Sequence, residues 1–355
     1  MPPGSAREEA PLLPGQAPRA GHGVDGIVDI DLSRKIHRTA PLGVPASLLA
    51  GTLYCIASMS MVLLNKVALS SFSFASPNAL LFFQCALCVV ATRACHAAGL
   101  ITLEPLSARI VRAWLPVNLL FVAMIGTSFW ALASLNVAMA TVLKNLTNLF
   151  TLGGDYVLHG RTYGAPVLGC MALMAVSALC SALTDLSFNA RGYAWQMANC
   201  AATAAYSLAL RGTMDKIAPL TVSGRKMDEF SMVFYNNLLS LPFIALLMAA
   251  SGEAGRVWSE PDLGNPAFMA VAALSGLIGF GISFTSLWFI STTTATIYSL
   301  VGSLNKVPLA LIGLLAFNAP WTPRNLASIL VGLAAGAVFA LAKSRGPATG
   351  PGSKA

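Results

Sequence analysis

The residues best suited to bind a ligand begin with the stretch YSLVGSLNKVPLALIG at 298–313, where Lys306 and Asn305 stand in an apolar segment. A lysine at membrane depth costs roughly 2.5–3.5 kcal/mol on insertion scales. The polar positions recur at i, i+4, i+7 and i+8 of a continuous helix: Tyr298, Gly302, Asn305 and Lys306. This spacing predicts one polar stripe, in which Lys306 offers three donors and a charge suited to a phosphate. A lysine paired with another helix is the alternative.

A second polar cluster is FYNN at 234–237. A buried primary amide both donates and accepts, so Asn236 and Asn237 can together meet a base edge that carries an acceptor beside donors. Guanine presents O6, N1–H and its N2 amine there, and adenine presents a different order. Hydrogen bonding between helices is the alternative role. A base-binding cluster combined with a phosphate-binding lysine points to a nucleotide.

The composition is that of a protein that crosses a membrane many times. Of 355 residues, 56% are hydrophobic and 10% are charged, with a mean hydropathy of +0.69, which is too apolar for a soluble domain. Apolar runs of about 20 residues predict ten spanning helices: 46–69, 77–99, 112–131, 134–158, 164–184, 190–212, 229–250, 266–290, 292–317 and 324–343. Because no cluster of Gly and Pro interrupts a run, we expect continuous helices, with a kink at Pro308.

The basic residues predict the orientation of the chain. Of the 22 Lys and Arg residues, 16 fall on the side of the N-terminus. Only three fall on the opposite side, Arg191, Arg256 and Arg324, and three lie within spans, Lys66, Lys144 and Lys306. Lys and Arg concentrate in cytosolic loops, so both termini are predicted to be cytosolic. The same bias accounts for the net charge of +8 without a nucleic acid partner.

The order of the runs predicts an all-α membrane protein of two inverted five-helix repeats, 45–184 and 190–343, because five runs precede the loop at 185–191 and five follow it. AMATV at 138–142 and TTATI at 293–297 are matching motifs. A disordered cytosolic tail, 1–44, and a C-terminal tail, 344–355, flank the repeats. The Gly332–Gly336 spacing predicts close helix packing within the chain or, alternatively, the seam of a homodimer.

Catalysis is not expected. All four histidines lie in the tail or at loop ends, and the only acid expected near membrane depth is Asp155. Metal-ligand and triad patterns are absent from the sequence, so we predict no catalytic residue, no metal site and no cofactor. The same lack of carboxylates disfavours proton coupling. Lys144 either adds positive potential to a cavity or pairs with Asp155, which is three turns away and too far for direct contact.

FYNN together with GSLNK at 302–306 resembles the paired signature of Golgi GDP-mannose transporters, within the nucleotide-sugar branch of the drug/metabolite transporter superfamily. The family's second motif usually has alanine where this chain has Ser303. The resemblance covers about residues 45–343. It implies that Asn236 and Asn237 bind guanine. It also implies that Tyr298 and Lys306 hold the diphosphate, and that Gly302, Ser303 and Asn305 line the sugar end.

Two further stretches extend the resemblance. YCIASMSMVLLNK at 54–66 is similar to the family's first span and places Tyr54 near the nucleoside. GISFTS at 281–286 is similar to its eighth span and adds Ser283 and Ser286. Lys66, at the end of the first of these stretches, is expected to extend toward the lumenal end of its helix.

The resemblance implies a function in the Golgi membrane. GDP-mannose would move from the cytosol to the lumen by alternating access, in exchange for GMP. Another GDP-sugar, such as GDP-fucose or GDP-galactose, remains an alternative, because the guanine and phosphate contacts would be shared. A nucleotide-binding membrane scaffold that moves nothing is the alternative from a different class. The expected partners are the two exchanged nucleotides and the lipid bilayer.

Overall fold

The computed structural model describes residues 45–160, 162–293 and 295–345, so the predicted tail at 1–44 and most of the one at 344–355 lie outside the described residues. Helices form the framework. In chain order, the α-helices of seven or more residues are α1 Ala46–Ser70, α2 Pro77–Ala97, α3 Ala108–Ser134, α4 Val137–Leu143, α5 Thr147–His159, α6 Ala165–Leu183, α7 Ala190–Ile217, α8 Glu229–Ala250, α9 Pro266–Thr292, α10 Ala295–Leu304, α11 Lys306–Ala316 and α12 Pro323–Arg345. Their bounds agree with the predicted apolar runs to within a few residues.

Seven of these helices, within the described ranges, are long and apolar enough to cross a membrane: α1, α2, α3, α6, α8, α9 and α12. The chain is therefore an all-helical, multi-pass membrane protein, as its composition predicted. Helix α7 is longer than most of them, with 28 residues, but is more polar. The two remaining apolar runs are each divided into two shorter helices.

The first division lies at a lysine. Helix α4 ends at Leu143, Lys144–Leu146 form one turn of 3-10 helix, and α5 follows. In that turn the Thr147 N–H bonds the Lys144 carbonyl three residues earlier. The expectation of a continuous helix is wrong here, because a tightened turn needs neither Gly nor Pro to interrupt the α-helical pattern.

The second division also lies at a lysine. Helix α10 ends at Leu304, Asn305 forms a turn, and α11 begins at Lys306. Pro308 has no N–H with which to bond the Leu304 carbonyl, which accounts for the interruption. The expectation of a continuous helix is wrong for this run too, and both lysine-bearing segments are broken at the lysine itself.

The packing relates the two halves of the chain. The most extensive contacts join α3 to α7 and α1 to α9, and further contacts join α6 to α12, α2 to α8 and α4 to α11. Numbered by apolar run, the contacting pairs are 3 and 6, 1 and 8, 5 and 10, 2 and 7, and 4 and 9. If each run is replaced by the run five places away in the chain, the same five pairs result. The two broken segments meet through α4 and α11, where Gly313 packs directly against Val137.

The loops that follow α2 and α8 each contact the start of the other helix. The loop that follows α8 reaches the start of α2, where Ser76 Oγ donates to Glu260 at 2.7 Å and the Ala79 N–H donates to Glu253 at 3.1 Å. The loop that follows α2 reaches the start of α8, where the Glu104 N–H donates to Ser231 Oγ at 2.8 Å. Carboxylates at a helix start satisfy free N–H groups and favour the helix dipole.

Gly332 and Gly336 on α12 face the interior of the protein. A Cβ on Gly332 would lie 2.8 Å from Val142 Cγ2, and a Cβ on Gly336 would lie 3.0 Å from Asn145 Nδ2. The close packing predicted from their spacing is thus packing within the chain. The alternative of a dimer seam at these two glycines is wrong, because the helix face that carries them is already covered.

Lys66 does not extend to water. Its side chain is buried, and Nζ donates to the carbonyl oxygens of Leu132 at 2.8 Å and Leu135 at 2.7 Å. These carbonyls end α3, where a positive charge is favourable. Lys66 stands one turn before the end of α1, and its ammonium group caps the end of α3, so the expectation that it reaches water there is wrong.

A cavity of about 750 Å³ lies beside α5, α6 and α7. Its lining is almost entirely apolar and includes Leu149, Phe150 and Leu179. None of the residues expected to bind a ligand lies in this lining. Because a charged ligand needs polar partners, the binding site must be sought among the polar side chains of the interior.

The contact between α4 and α11 gives a test of the fold. We expect Gly313→Ala to lower Tm by several degrees, because the added Cβ would lie 2.5 Å from Val137 Cβ and overpacking costs about 1–3 kcal/mol. Thermal unfolding in detergent measures the effect. Gly169→Ala on α6 is the matched control, since its Cβ would meet nothing within 4 Å. Equal Tm values for the two variants would contradict the packing.

Candidate ligand-binding site

An aromatic cluster joins α1, α9 and α10. The Tyr54 ring lies 5.1 Å from the Tyr298 ring and 5.9 Å from the Phe289 ring, centroid to centroid. Ser286 Oγ and the Tyr298 hydroxyl lie 2.5 Å apart and share a hydrogen bond. The structure therefore brings together Tyr54, Tyr298 and Ser286, three residues that the sequence assigned to one ligand.

The interrupted segment continues this cluster toward the lysine. A Cβ on Gly302 would lie 3.4 Å from the Tyr54 hydroxyl, so the backbone of α10 approaches α1 closely at this point. One turn later, Asn305 Nδ2 lies 3.4 Å from the Cys55 carbonyl oxygen. Ser303, which lies between Gly302 and Asn305 in the sequence, is half-buried. The predicted stripe thus faces α1 as far as Asn305.

Lys306 leaves that stripe and turns toward the other half of the chain. Its Nζ donates to Asn145 Oδ1 at 2.7 Å. Asn145 is fixed in turn, because its Nδ2 donates to the Gly332 carbonyl at 3.1 Å and Gly336 leaves room beside its amide. The lysine is therefore held by a neutral amide oxygen, which accepts a hydrogen bond but does not neutralise the charge.

Lys144 is held in the same manner. Its Nζ donates to Asn199 Oδ1 and, at 3.0 Å, to Thr203 Oγ1. Asn145, which binds the ammonium group of Lys306, directly follows Lys144 in the 3-10 turn, so the two lysines meet at this turn. Within the described ranges, neither lysine has a carboxylate partner. The interior thus contains two neighbouring positive charges that a bound anion could neutralise.

Asp155 takes no part in this charge arrangement. Its carboxylate lies 3.6 Å from Arg211 and accepts a hydrogen bond from the Tyr163 hydroxyl at 2.9 Å. The sequence spacing predicts that Lys144 and Asp155 are too far apart for direct contact, and the structure agrees, because Lys144 binds Asn199 and Thr203 instead. Of the two roles considered for Lys144, the contribution of positive potential is the one that its surroundings support.

Asn236 is occupied by the protein itself. Its Oδ1 accepts from Trp114 Nε1 at 2.9 Å, and its Nδ2 donates to the Tyr206 hydroxyl at 2.9 Å. The side chain is buried. In this conformation Asn236 joins α3, α7 and α8, which is the interhelical role weighed as an alternative to guanine binding.

Asn237 is the more available of the two asparagines. It is half-buried, and its Nδ2 donates to the Val233 carbonyl of its own helix at 2.8 Å. A bond within one helix turn can be exchanged for a ligand without disturbing another helix. The FYNN motif therefore divides into a residue that positions helices, Asn236, and a residue that can contact a base, Asn237.

Glu229 is a residue of this region that the sequence analysis overlooked. It begins α8 and is half-buried. Ser283, one turn before Ser286, is buried.

Apolar helices long enough to span a bilayer, arranged around two lysines and a set of aromatic and amide groups, define a membrane transport protein. The chain belongs to the Triose-phosphate Transporter family, whose model matches residues 45–340. It is a transport protein, not an enzyme, and the resemblance inferred from FYNN and GSLNK is confirmed by the relatives that follow.

Three relatives are more informative than the family model. The chain is 49% identical to the GDP-mannose transporter GONST1 of Arabidopsis thaliana, over 89% of this chain and 93% of that protein. It is 45% identical to GDP-mannose transporter GONST2 of the same plant, over 83% and 79%. A GDP-mannose transporter of Aspergillus oryzae is 34% identical over 85% and 84%. One crystal structure, 19% identical, matches with a TM-score of 0.50 over 82% of this chain and 98% of its own, which reflects a shared fold alone.

Thermal stability tests the two roles assigned to Asn236 and Asn237. We expect Asn236→Ala to lower Tm by several degrees, because it leaves the Trp114 N–H without its acceptor, at a cost of about 1–3 kcal/mol. Asn237→Ala removes only a bond within α8 and is expected to leave Tm within about 2 °C. Thermal unfolding of both proteins without ligand makes the comparison. A larger loss in Asn237→Ala would reverse the assignment.

Proposed function

We propose that this protein transports GDP-mannose from the cytosol into the Golgi lumen in exchange for GMP. Relatives with GDP-mannose transport in their names, at 49% and 45% identity over most of the chain, support the substrate. The observation that carries the proposal is the arrangement of Lys306 and Lys144, whose partners among the described residues are all neutral and which are suited to the phosphates of a nucleotide.

The proposed topology has ten membrane crossings in two inverted repeats, 45–184 and 190–343, with both termini in the cytosol. Three features support it. The helix contacts keep their pattern when each helix is exchanged for its counterpart. Both lysine-bearing segments are broken at equivalent places. The Lys and Arg residues strongly favour the side of the termini.

The proposed ligand lies across the interior between the aromatic cluster and the lysines. Asn237, Ser283 and Ser286 contact guanine, with Asn236 holding the helices that carry them. Tyr54 packs beside the nucleoside. Lys306 and Tyr298 hold the diphosphate, and Lys144 adds positive potential. Gly302, Ser303 and Asn305 line the sugar end, where Gly302 leaves the backbone accessible and Asn305 supplies an amide suited to hydroxyl groups.

Alternating access follows from the two related halves. The nucleotide sugar binds from one side, the halves move around it, and it leaves on the other side. The lysines explain why transport in one direction would require a nucleotide to be carried back in the other. Without a ligand, two positive charges remain in an interior of low dielectric constant, so the empty protein crosses slowly. Either GDP-mannose or GMP supplies the phosphate that neutralises them.

Other GDP-sugars, GDP-fucose and GDP-galactose, are the second candidate substrates. Ser303 supports these candidates, because it adds a hydroxyl group at the proposed sugar end, where the family usually has alanine. A nucleotide-binding scaffold that moves nothing is distinguished by accumulation of label inside sealed vesicles, which only a transporter produces.

The proposal is tested with purified protein in liposomes preloaded with GMP. We expect uptake of labelled GMP to be inhibited by GDP-mannose, less by GDP-fucose and hardly by UDP-galactose or free mannose. We expect Lys306→Ala and Asn237→Ala each to lower uptake about tenfold or more, because each removes a hydrogen bond to a charged or buried ligand group.

Lys216→Ala is the matched control, since it removes the same charge from an exposed position at the end of α7. Its uptake is expected to equal that of the wild type. Inhibition by UDP-galactose as strong as by GDP-mannose, or full uptake in Lys306→Ala, would contradict the proposal. A ranking led by GDP-fucose would keep the GDP-sugar class and change the sugar.

A further inference from the structure

Asn145 is a buried amide at the point where the two lysine-bearing segments meet. It lies at the centre of the 3-10 turn Lys144–Leu146, and the residue is 2% exposed. Its Oδ1 accepts from Lys306 Nζ at 2.7 Å, and its Nδ2 donates to the Gly332 carbonyl at 3.1 Å. One side chain on the turn after α4 therefore binds both the first residue of α11 and the middle of α12.

The two partners fix the orientation of the Asn145 amide. The Gly332 carbonyl only accepts hydrogen bonds, so it must face Nδ2, and the Lys306 ammonium group only donates, so it must face Oδ1. Gly336 confines the amide from α12, because a Cβ there would lie 3.0 Å from Nδ2 and 3.2 Å from Oδ1. The oxygen that faces Lys306 is thus held firmly in place.

Other side chains of similar size would satisfy only one of these partners. Aspartate would place an oxygen against the Gly332 carbonyl, where two acceptors repel, and leucine would offer Lys306 no acceptor. Aspartate would also neutralise the ammonium group, whereas an amide oxygen leaves its charge unneutralised. The ammonium group has three donors, and Asn145 takes one of them. An amide therefore holds Lys306 in one direction and keeps its charge for a ligand.

We propose that Asn145 is the positioning residue of the phosphate site: it directs the Lys306 ammonium group toward the nucleotide's phosphate and, being uncharged, keeps transport dependent on exchange. This assignment rests on the proposed function, in which Lys306 binds the diphosphate and its unneutralised charge slows the empty protein. A carboxylate at position 145 would take the place of the phosphate as the partner of Lys306. The empty protein would then cross without a nucleotide.

A purely structural role for Asn145 makes different predictions. If the amide only packs against α12, its loss weakens the binding of GMP and of guanosine by the same factor. If it positions Lys306, its loss weakens GMP alone, because guanosine has no phosphate. The ratio of the two inhibition constants separates these roles, since a general distortion of the site cancels in the ratio.

The first measurement compares GMP and guanosine as inhibitors of labelled GDP-mannose uptake into liposomes that hold the purified protein and preloaded GMP. For Asn145→Ala and Asn145→Asp, we expect the inhibiting concentration of GMP to rise about tenfold and that of guanosine to change less than about twofold. Asn148→Ala and Asn148→Asp are the matched controls, since Asn148 lies one turn later and faces Met174 on α6. Both are expected to keep the wild-type ratio.

The second measurement is the efflux of labelled GMP from preloaded liposomes, with and without unlabelled GMP outside. We expect exchange to speed efflux at least about tenfold in the wild type and in Asn145→Ala, which adds no negative charge. For Asn145→Asp we expect the two rates to come within about threefold of each other, because the carboxylate neutralises Lys306 in the empty protein. Inactive protein contributes to neither rate, so incomplete folding does not alter the comparison.

Equal losses of GMP and guanosine binding in Asn145→Ala would overturn the positioning role. Dependence on external GMP in Asn145→Asp as strong as in the wild type, or lost equally in Asn148→Asp, would overturn the role of the missing charge. If Asn145→Asp is wholly inactive, the guanosine comparison in Asn145→Ala decides. Failure of the proposed function gives a separate signature, which is a wild type that takes up no GDP-mannose or is not inhibited by GMP.

Discussion

Two lysines inside the helical bundle, held by amide oxygens and without carboxylate partners among the described residues, are the constraint on which the rest of this structure depends. Each such charge costs roughly 2.5–3.5 kcal/mol on insertion scales. Lys306 donates to Asn145 and Lys144 donates to Asn199. These bonds reduce the cost of burial, and neutral amide oxygens leave both charges unneutralised.

Much of the surrounding architecture serves to place these groups. Gly332 and Gly336 let α12 approach Asn145 closely, and the Gly332 carbonyl fixes its amide. Both of these lysine-bearing segments are interrupted where the lysine stands. Lys66, the third lysine in a predicted span, differs from them, since its ammonium group donates to two carbonyls at the end of α3.

The sequence predicted the helical framework well because a bilayer demands about 20 apolar residues per crossing. It also assigned Tyr54, Tyr298 and Ser286 to one ligand through motif resemblance, and the structure brings these three residues together. It could not predict the broken helices, because a single 3-10 turn leaves no compositional mark. Nor could it separate Asn236 from Asn237, since adjacent amides look alike until Trp114 and Tyr206 are seen to bind one of them.

The central claim is that the unneutralised lysines make crossing without a phosphate ligand slow. The most direct measurement preloads liposomes with labelled GMP and compares its efflux into medium with and without unlabelled GMP. The account predicts efflux at least about tenfold faster when external GMP is present, because the return step then carries a neutralised site. Equal efflux rates under the two conditions would contradict it.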